Sequence, residues 1–180
     1  MKESINKPIV LIGIMGSGKS TIGKKLAKKL RLQFYDSDRE IESREGVSVI
    51  DIYDFKGEEY FKKKEEEIVK EILGYGITLL STGSSTFLND ELRAIIKKNA
   101  ISIWLSADLD TLYNRVIRRN TRPELDKIDN KKELLEKMME ERYPVYSQAD
   151  ITVMSQDLDT HYVVDTVIAK LRKFLQEHNI

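Results

Sequence analysis

The run GIMGSGKST, residues 13–21, decides how the rest of the chain is read. Gly13, Gly18, Lys19 and Ser20 fill every fixed position of the pattern G-x-x-x-x-G-K-[ST]. With Gly16, the glycines allow a tight turn whose N–H groups converge on an anion. Upstream, PIVLIG (8–13) is an apolar run of strand length. Downstream, Lys19 to Leu30 repeats apolar residues at helical spacing, with Ile22, Leu26 and Leu30 on one face. A strand, a glycine loop and a helix start in that order make a phosphate site, because the first helical turn adds its positive end to the loop. Lys19 is expected to reach the β- and γ-phosphates and Ser20 to ligate Mg²⁺, with Ser17 and Thr21 in the same pocket. ATP and Mg²⁺ are the implied cofactors.

Working outward, LQFYD (32–36) is a second short strand, followed by helical segments over 37–44 and 48–55. GEEYFKKKEEEIVKEIL (57–73) is a longer amphipathic helix. Its KKKEEE run reads as a solvated face with ion pairs such as Lys62 with Glu66. ITLLST (77–82) is a third strand closed by Gly83, AISIWLS (100–106) a fourth and DITVM (150–154) a fifth. Helices are expected over 90–99, 108–120, 131–149 with a break near Pro144, and 160–178. TRPELDKIDN (121–130) is polar and holds a proline, so it reads as a flexible loop. Strands alternating with helices imply an α/β fold, a three-layer sandwich with a five-stranded parallel sheet built from right-handed crossovers. Ligands of such sheets sit at the carboxyl ends of the strands.

Composition narrows the class. The chain has 180 residues, enough for one domain, and 41% are apolar, enough for a core. Thirty basic residues balance thirty acidic ones, which gives no support for a nucleic-acid partner. Cysteine is absent, excluding disulfides and thiolate metal sites. No run approaches the ~20 apolar residues of a membrane span, and MKESINKPIVLIG is too short in apolar residues for a signal peptide. The expectation is a cytoplasmic, monomeric globular protein.

The second strand ends in DSD, with Asp36 and Asp38. Asp38 or Ser37 can serve as a helix cap. Alternatively, the two carboxylates divide between a metal shell and a phosphate acceptor. Here the chain resembles shikimate kinases. GIMGSGKSTIGKKLA, FYDSDREIE, GEEYFKKKE, STG, TRPEL and ERYPVYSQAD occur in that family's order and spacing, from about Pro8 to about Val153. The resemblance implies a phosphate-loop NTPase fold of the nucleoside-monophosphate-kinase-like kind, with an acceptor-binding helical region at about 37–73 and a mobile lid at about 119–130. It implies transfer of phosphate from ATP to shikimate, giving shikimate 3-phosphate, a step of aromatic amino acid biosynthesis. By resemblance Asp36 holds Mg²⁺ through its water shell, and Asp38 orients or deprotonates the attacking hydroxyl. Arg122 reaches the transferring phosphate from the lid, Arg142 grips the acceptor carboxylate, and Arg115 packs near adenine. Lys19, Asp38 and Arg122 form the expected catalytic set.

Three positions depart from the family pattern. A triple glycine is replaced by Gly83-Ser84-Ser85, where added Cβ atoms narrow the pocket and, at positive φ, cost energy. Those serines can instead donate hydrogen bonds to an acceptor. An arginine of the acceptor site is replaced by Lys62, which keeps the charge but loses the bidentate fork. Glu124 stands beside the lid arginine, where it can pair with Arg122. Two other readings therefore stand beside shikimate phosphorylation: a kinase for another small hydroxy acid such as gluconate, and a nucleotide-binding protein that has lost catalysis. His161 and His178 show no ligand spacing, Trp104 reads as core, Met138 and Met139 as packing residues, and Lys24, Lys25, Lys28 and Lys29 as a solvated face.

Overall fold

Central parallel strands are covered on both faces, so they have no solvated side. In the computed structural model, which describes residues 5–118, 130–155 and 159–178, β1 (Ile9–Ile12), β3 (Thr78–Ser81) and β4 (Ile101–Ser106) are buried at every position. The edge strands β2 (Gln33–Asp36) and β5 (Ile151–Met154) are only partly covered, and β5 alternates buried with exposed residues. All pairings are parallel, and the order is β2-β3-β1-β4-β5. That is the three-layer α/β sandwich the sequence pattern predicts.

Successive side chains of a strand point to opposite faces, which splits the core in two. Ile9 and Leu11 of β1 join Leu79, Ile103 and Val153 against α1 (Lys19–Leu30) and the closing helix α8 (Thr160–Glu177). Ile22, Leu26 and Leu30 lie in this layer, as their spacing requires. Val10 and Ile12 face the other way. With Leu80 and Trp104, they pack against α2 (Ser37–Glu45), α3 (Val49–Lys56), α4 (Glu58–Leu73), α5 (Asp90–Asn99), α6 (Leu109–Arg118) and α7 (Lys131–Tyr146). Met138 is buried in that second layer, and Met139 packs against it.

The expected lid lies outside the described residues, apart from Asn130, whose side chain caps α7 by accepting from Glu133 N–H at 3.2 Å. Arg122 and Glu124 fall in that undescribed stretch. Among the described residues, no helix is long and apolar enough to cross a membrane.

Three local expectations are corrected. The helix carrying Pro144 does not break there; it runs to Tyr146. Tertiary anchors hold its last turn: the Tyr143 hydroxyl donates to the Ala107 carbonyl at 2.5 Å, and Tyr146 is fully buried. Lys62 pairs with Glu58 rather than Glu66, which instead meets Lys70 at 2.5 Å. A glutamate four residues N-terminal to a lysine is the favoured order, and both pairs adopt it. The cap of α2 is Asp36, which accepts from Arg39 N–H at 3.4 Å, and not Ser37 or Asp38. Ser37 is buried, and its hydroxyl accepts from Gly83 N–H at 3.0 Å.

Candidate active site

The loop after β1 and the turn after β3 lie side by side at the carboxyl edge of the sheet, because β1 and β3 are paired. Thr82 fixes that neighbourhood: its N–H and its hydroxyl both donate to the Leu11 carbonyl, at 3.2 and 3.0 Å.

Gly18 stands at the N-cap of α1 with φ 93°, in the left-handed region that a side chain enters only at a cost, and no side chain caps the helix. The first N–H groups of α1 are thus left to an external anion. Lys19 curls onto the loop, donating to the carbonyls of Gly13 at 2.6 Å and Ile14 at 3.0 Å. The Ser20 hydroxyl donates to Asp36 Oδ2 at 2.6 Å. A cavity of about 120 Å³ is lined by Gly16, Gly18, Lys19, Ser20, Asp36 and Asp38, among others. Its size suits phosphate groups. The hydroxyl–carboxylate pair offers hard oxygen donors, which suit Mg²⁺ bound through one or two protein oxygens, waters and substrate phosphates. Among the described residues no cluster of three or more acidic, histidine or cysteine side chains could cage a metal alone.

The remaining nucleotide-side residues occupy distinct places. Ser17 is fully buried beneath the loop, and its Oγ has no hydrogen-bond partner. Thr21 is exposed on the first turn of α1. Arg115 of α6 donates to the Gly16 carbonyl at 3.3 Å and to the Ser155 hydroxyl at 3.1 Å, tying the loop to the strand edge.

A second cavity, of about 340 Å³, opens beside the first. Val49, Ile50, Tyr53 and Phe61 supply its apolar wall, and Asp38, Asp54, Gly83, Ser84 and Ser85 its polar one. Asp38, Gly83 and Ser84 line both cavities. A ligand in one therefore abuts a ligand in the other across those three residues.

The replaced glycines now have a physical account. Ser85 has φ −91°, and among the described residues only Arg31 combines a side chain with positive φ. Neither Ser84 nor Ser85 is therefore strained, contrary to the expected cost. Gly83 differs: a Cβ there would stand 2.6 Å from Glu65 Oε1 and 3.0 Å from Asp38 Oδ1. The one glycine kept is the one that two carboxyl groups crowd.

Glu65 is a site residue that the motif reading missed. It is 2% exposed, and the Thr86 hydroxyl donates to its Oε1 at 2.5 Å. Burial pushes its carboxyl up to about 7; the Thr86 hydrogen bond pulls the other way, and the Asp38 charge adds to the rise. Its signal was periodicity. Glu65 falls on the buried stripe Phe61, Ile68 and Ile72 of α4, although it sits within a run of charges.

Arg142 of α7 reaches the shared wall, with Nη1 donating to Ser84 Oγ at 3.0 Å. One turn later the Tyr146 hydroxyl donates to the Ser84 carbonyl. Burial pushes the Tyr146 phenol up to about 12, so it stays a neutral donor. Lys62 lies elsewhere. Its ammonium is 2.9 Å from Glu58 Oε1 and 3.8 Å from Glu59 Oε1, and it is not among the residues lining either cavity.

Comparison with known proteins agrees with this geometry. The family model described as shikimate kinase matches residues 15–172. The chain belongs to the shikimate kinase family. Shikimate kinase of Rhizobium meliloti is 44% identical over 161 residues, spanning 89% of this chain and 83% of that protein. Shikimate kinase of Bartonella quintana is 40% identical over 169 residues, spanning 94% of this chain and 80% of its own length. Among solved structures, shikimate kinase from Acinetobacter baumannii in complex with shikimate superposes with a TM-score of 0.89 at 26% identity, over 96% of this chain and 98% of that one.

Proposed function

We infer that this shikimate kinase transfers the γ-phosphoryl group of ATP to a hydroxyl of shikimate. The observation that carries the reading is the pair of adjoining cavities with a common wall at Asp38, Gly83 and Ser84. Phosphoryl transfer depends on alignment of donor and acceptor and on charge neutralisation, with little covalent work for the protein. When bound, ATP would supply the phosphoryl group, and a Mg²⁺ ion held at Ser20 and Asp36 would supply charge neutralisation for its oxygens.

The residues divide accordingly. Gly13, Gly16 and Gly18 present backbone N–H groups to the phosphates, Lys19 exchanges its loop carbonyls for phosphate oxygens, and Arg115 flanks the nucleotide. Ser20 and Asp36 supply the metal's protein-side oxygens. Asp38, on the common wall, accepts the proton of the attacking hydroxyl. Burial raises the Glu65 carboxyl to about 7, so that near neutral pH it is only partly ionised beside Gly83. Arg142 receives the acceptor carboxylate, and Arg122 approaches the phosphate from the lid.

A coupled ADP-release assay with shikimate and with gluconate tests the proposal. Turnover with shikimate, and at most weak turnover with gluconate, is the expected result. ADP release with gluconate alone overturns the shikimate assignment, and tight nucleotide binding without turnover of either acid overturns the kinase reading.

A further inference from the structure

The phosphate chemistry does not require a side chain at position 84, yet Ser84 lies on the common wall of both cavities and is held from two sides by one helix. Arg142 Nη1 donates to its hydroxyl at 3.0 Å, and the Tyr146 hydroxyl donates to its carbonyl. The helix end is itself fixed: Tyr146 is fully buried, and its ring lies 6.0 Å from that of Trp104.

We propose that Ser84 is a positioning residue that holds the Arg142 guanidinium at the acceptor pocket and so selects a carboxylate-bearing acceptor over its neutral analogue. The proposal rests on the kinase reading above. An arginine on a helix surface samples many rotamers, and ordering it on a ligand costs entropy. Hydrogen bonds from the guanidinium to the Ser84 hydroxyl and to the Tyr146 side chain remove much of that freedom beforehand and leave other guanidinium N–H groups for an acceptor. A glycine at 84 provides no such hydroxyl. Lys62 is engaged by Glu58 on its own helix in this structure, whereas Arg142 contacts Ser84, a residue of both cavity walls.

A purely structural role predicts something different. If Ser84 only tied its turn to α7, the Tyr146 bond would suffice, since it uses the backbone carbonyl and survives any substitution. Ser84→Ala therefore removes the arginine contact alone.

The test combines steady-state kinetics on shikimate and on its methyl ester with a double-mutant cycle against Arg142→Lys. Ser84→Ala and Ser84→Gly are expected to raise KM for shikimate about five- to tenfold, the size of one ordinary hydrogen bond, with kcat changed less than about twofold. KM for ATP and kcat/KM for the ester stay at wild-type values, and Ser84→Thr restores shikimate binding. In the Arg142→Lys background, Ser84→Ala adds less than about twofold, because the coupling has already been lost. Wild-type KM in Ser84→Ala, equal losses on acid and ester, or the same loss in both backgrounds overturns the role of Ser84 while leaving the kinase intact. Absence of shikimate turnover by the unsubstituted protein overturns the kinase reading and this proposal with it.

Discussion

The phosphate loop and the Gly83–Ser85 turn are neighbours at the ends of paired strands, but their sequences are constrained by different physics. The loop recognises its ligand with backbone N–H groups, so its code is conformational: glycine at Gly16 and Gly18, with φ of 81° and 93°. Such a code is local and appears as a fixed spacing. The turn carries side chains at ordinary φ, and its one obligatory glycine answers to atoms from two helices, Asp38 of α2 and Glu65 of α4. That code is tertiary. Serines are tolerated in the turn because backbone strain does not exclude them, whereas a single residue added to the loop's glycine positions would be strained.

The largest effects should separate the two sides cleanly. Asp38→Asn is expected to lower kcat by about 10²–10⁴, the range of a lost general base, while ADP affinity by calorimetry stays at the wild-type value. Lys19→Ala should do the reverse, weakening ADP and ATP binding by roughly a hundredfold through loss of a phosphate contact, with the thermal transition preserved. Should Asp38→Asn weaken ADP as much as Lys19→Ala does, the two cavities are one site and the division fails.

Gly83→Ala probes the turn next. Its Cβ must displace the Glu65 or Asp38 carboxyl, and overpacking of this kind costs about 1–3 kcal/mol. The midpoint of urea unfolding should fall, and acceptor turnover with it. A variant as stable and active as the parent shows that the carboxyls move aside freely, and Gly83 would then be no more constrained than Ser84.

The contrast also explains what the sequence made legible. The five parallel strands, the helices between them and the phosphate loop follow from local periodicity and a fixed motif, and they appear as expected, whereas the order β2-β3-β1-β4-β5 is set by tertiary packing and was not legible. Ser48 capping α3, with its hydroxyl accepting from Asp51 N–H at 3.1 Å, is equally local. Glu65 was hidden because a charged run reads as a solvated face, although its position on the buried stripe of α4 placed it inside. The Arg142–Ser84–Tyr146 contacts join residues 58 and 62 positions apart, which no spacing rule encodes. Lys62 is the reverse case: the family pattern places it in the acceptor set, while in this structure it pairs with Glu58 on its own helix.

The buried carboxyl gives the turn a pH signature of its own. Glu65 sits near 7 in the fold against 4.5 for the free side chain, so between those values the folded protein binds more protons than the unfolded chain. Its contribution to stability is full below about 4.5 and is lost as pH rises through about 7, a change on the order of 3 kcal/mol. Denaturant midpoints measured at pH 5 and pH 8 should therefore show a smaller loss for Glu65→Gln than for the parent. Equal slopes would place the Glu65 carboxyl in a solvated setting and remove the reason for glycine at 83.

The smallest effect is expected at Lys62. Its partner Glu58 is four residues away on the same helix, the two side chains are 47% and 62% exposed, and solvent screens such pairs strongly. Glu58 holds Lys62's pKa above its ordinary value, which keeps the ammonium charged but does not bring it to the cavity. Lys62→Ala is therefore expected to raise KM for shikimate by less than about threefold and to leave kcat unchanged, whereas Arg142→Ala raises KM by a factor of tens, since a charged bidentate partner is lost. The two variants, compared on the same acceptor, locate the carboxylate. Comparable losses mean that Lys62 leaves Glu58 when the acceptor arrives, and that the carboxylate is shared between α4 and α7. A loss confined to Arg142 means that the acceptor is anchored by the same helix that holds Ser84, and that the missing arginine at 62 has been compensated from the opposite wall.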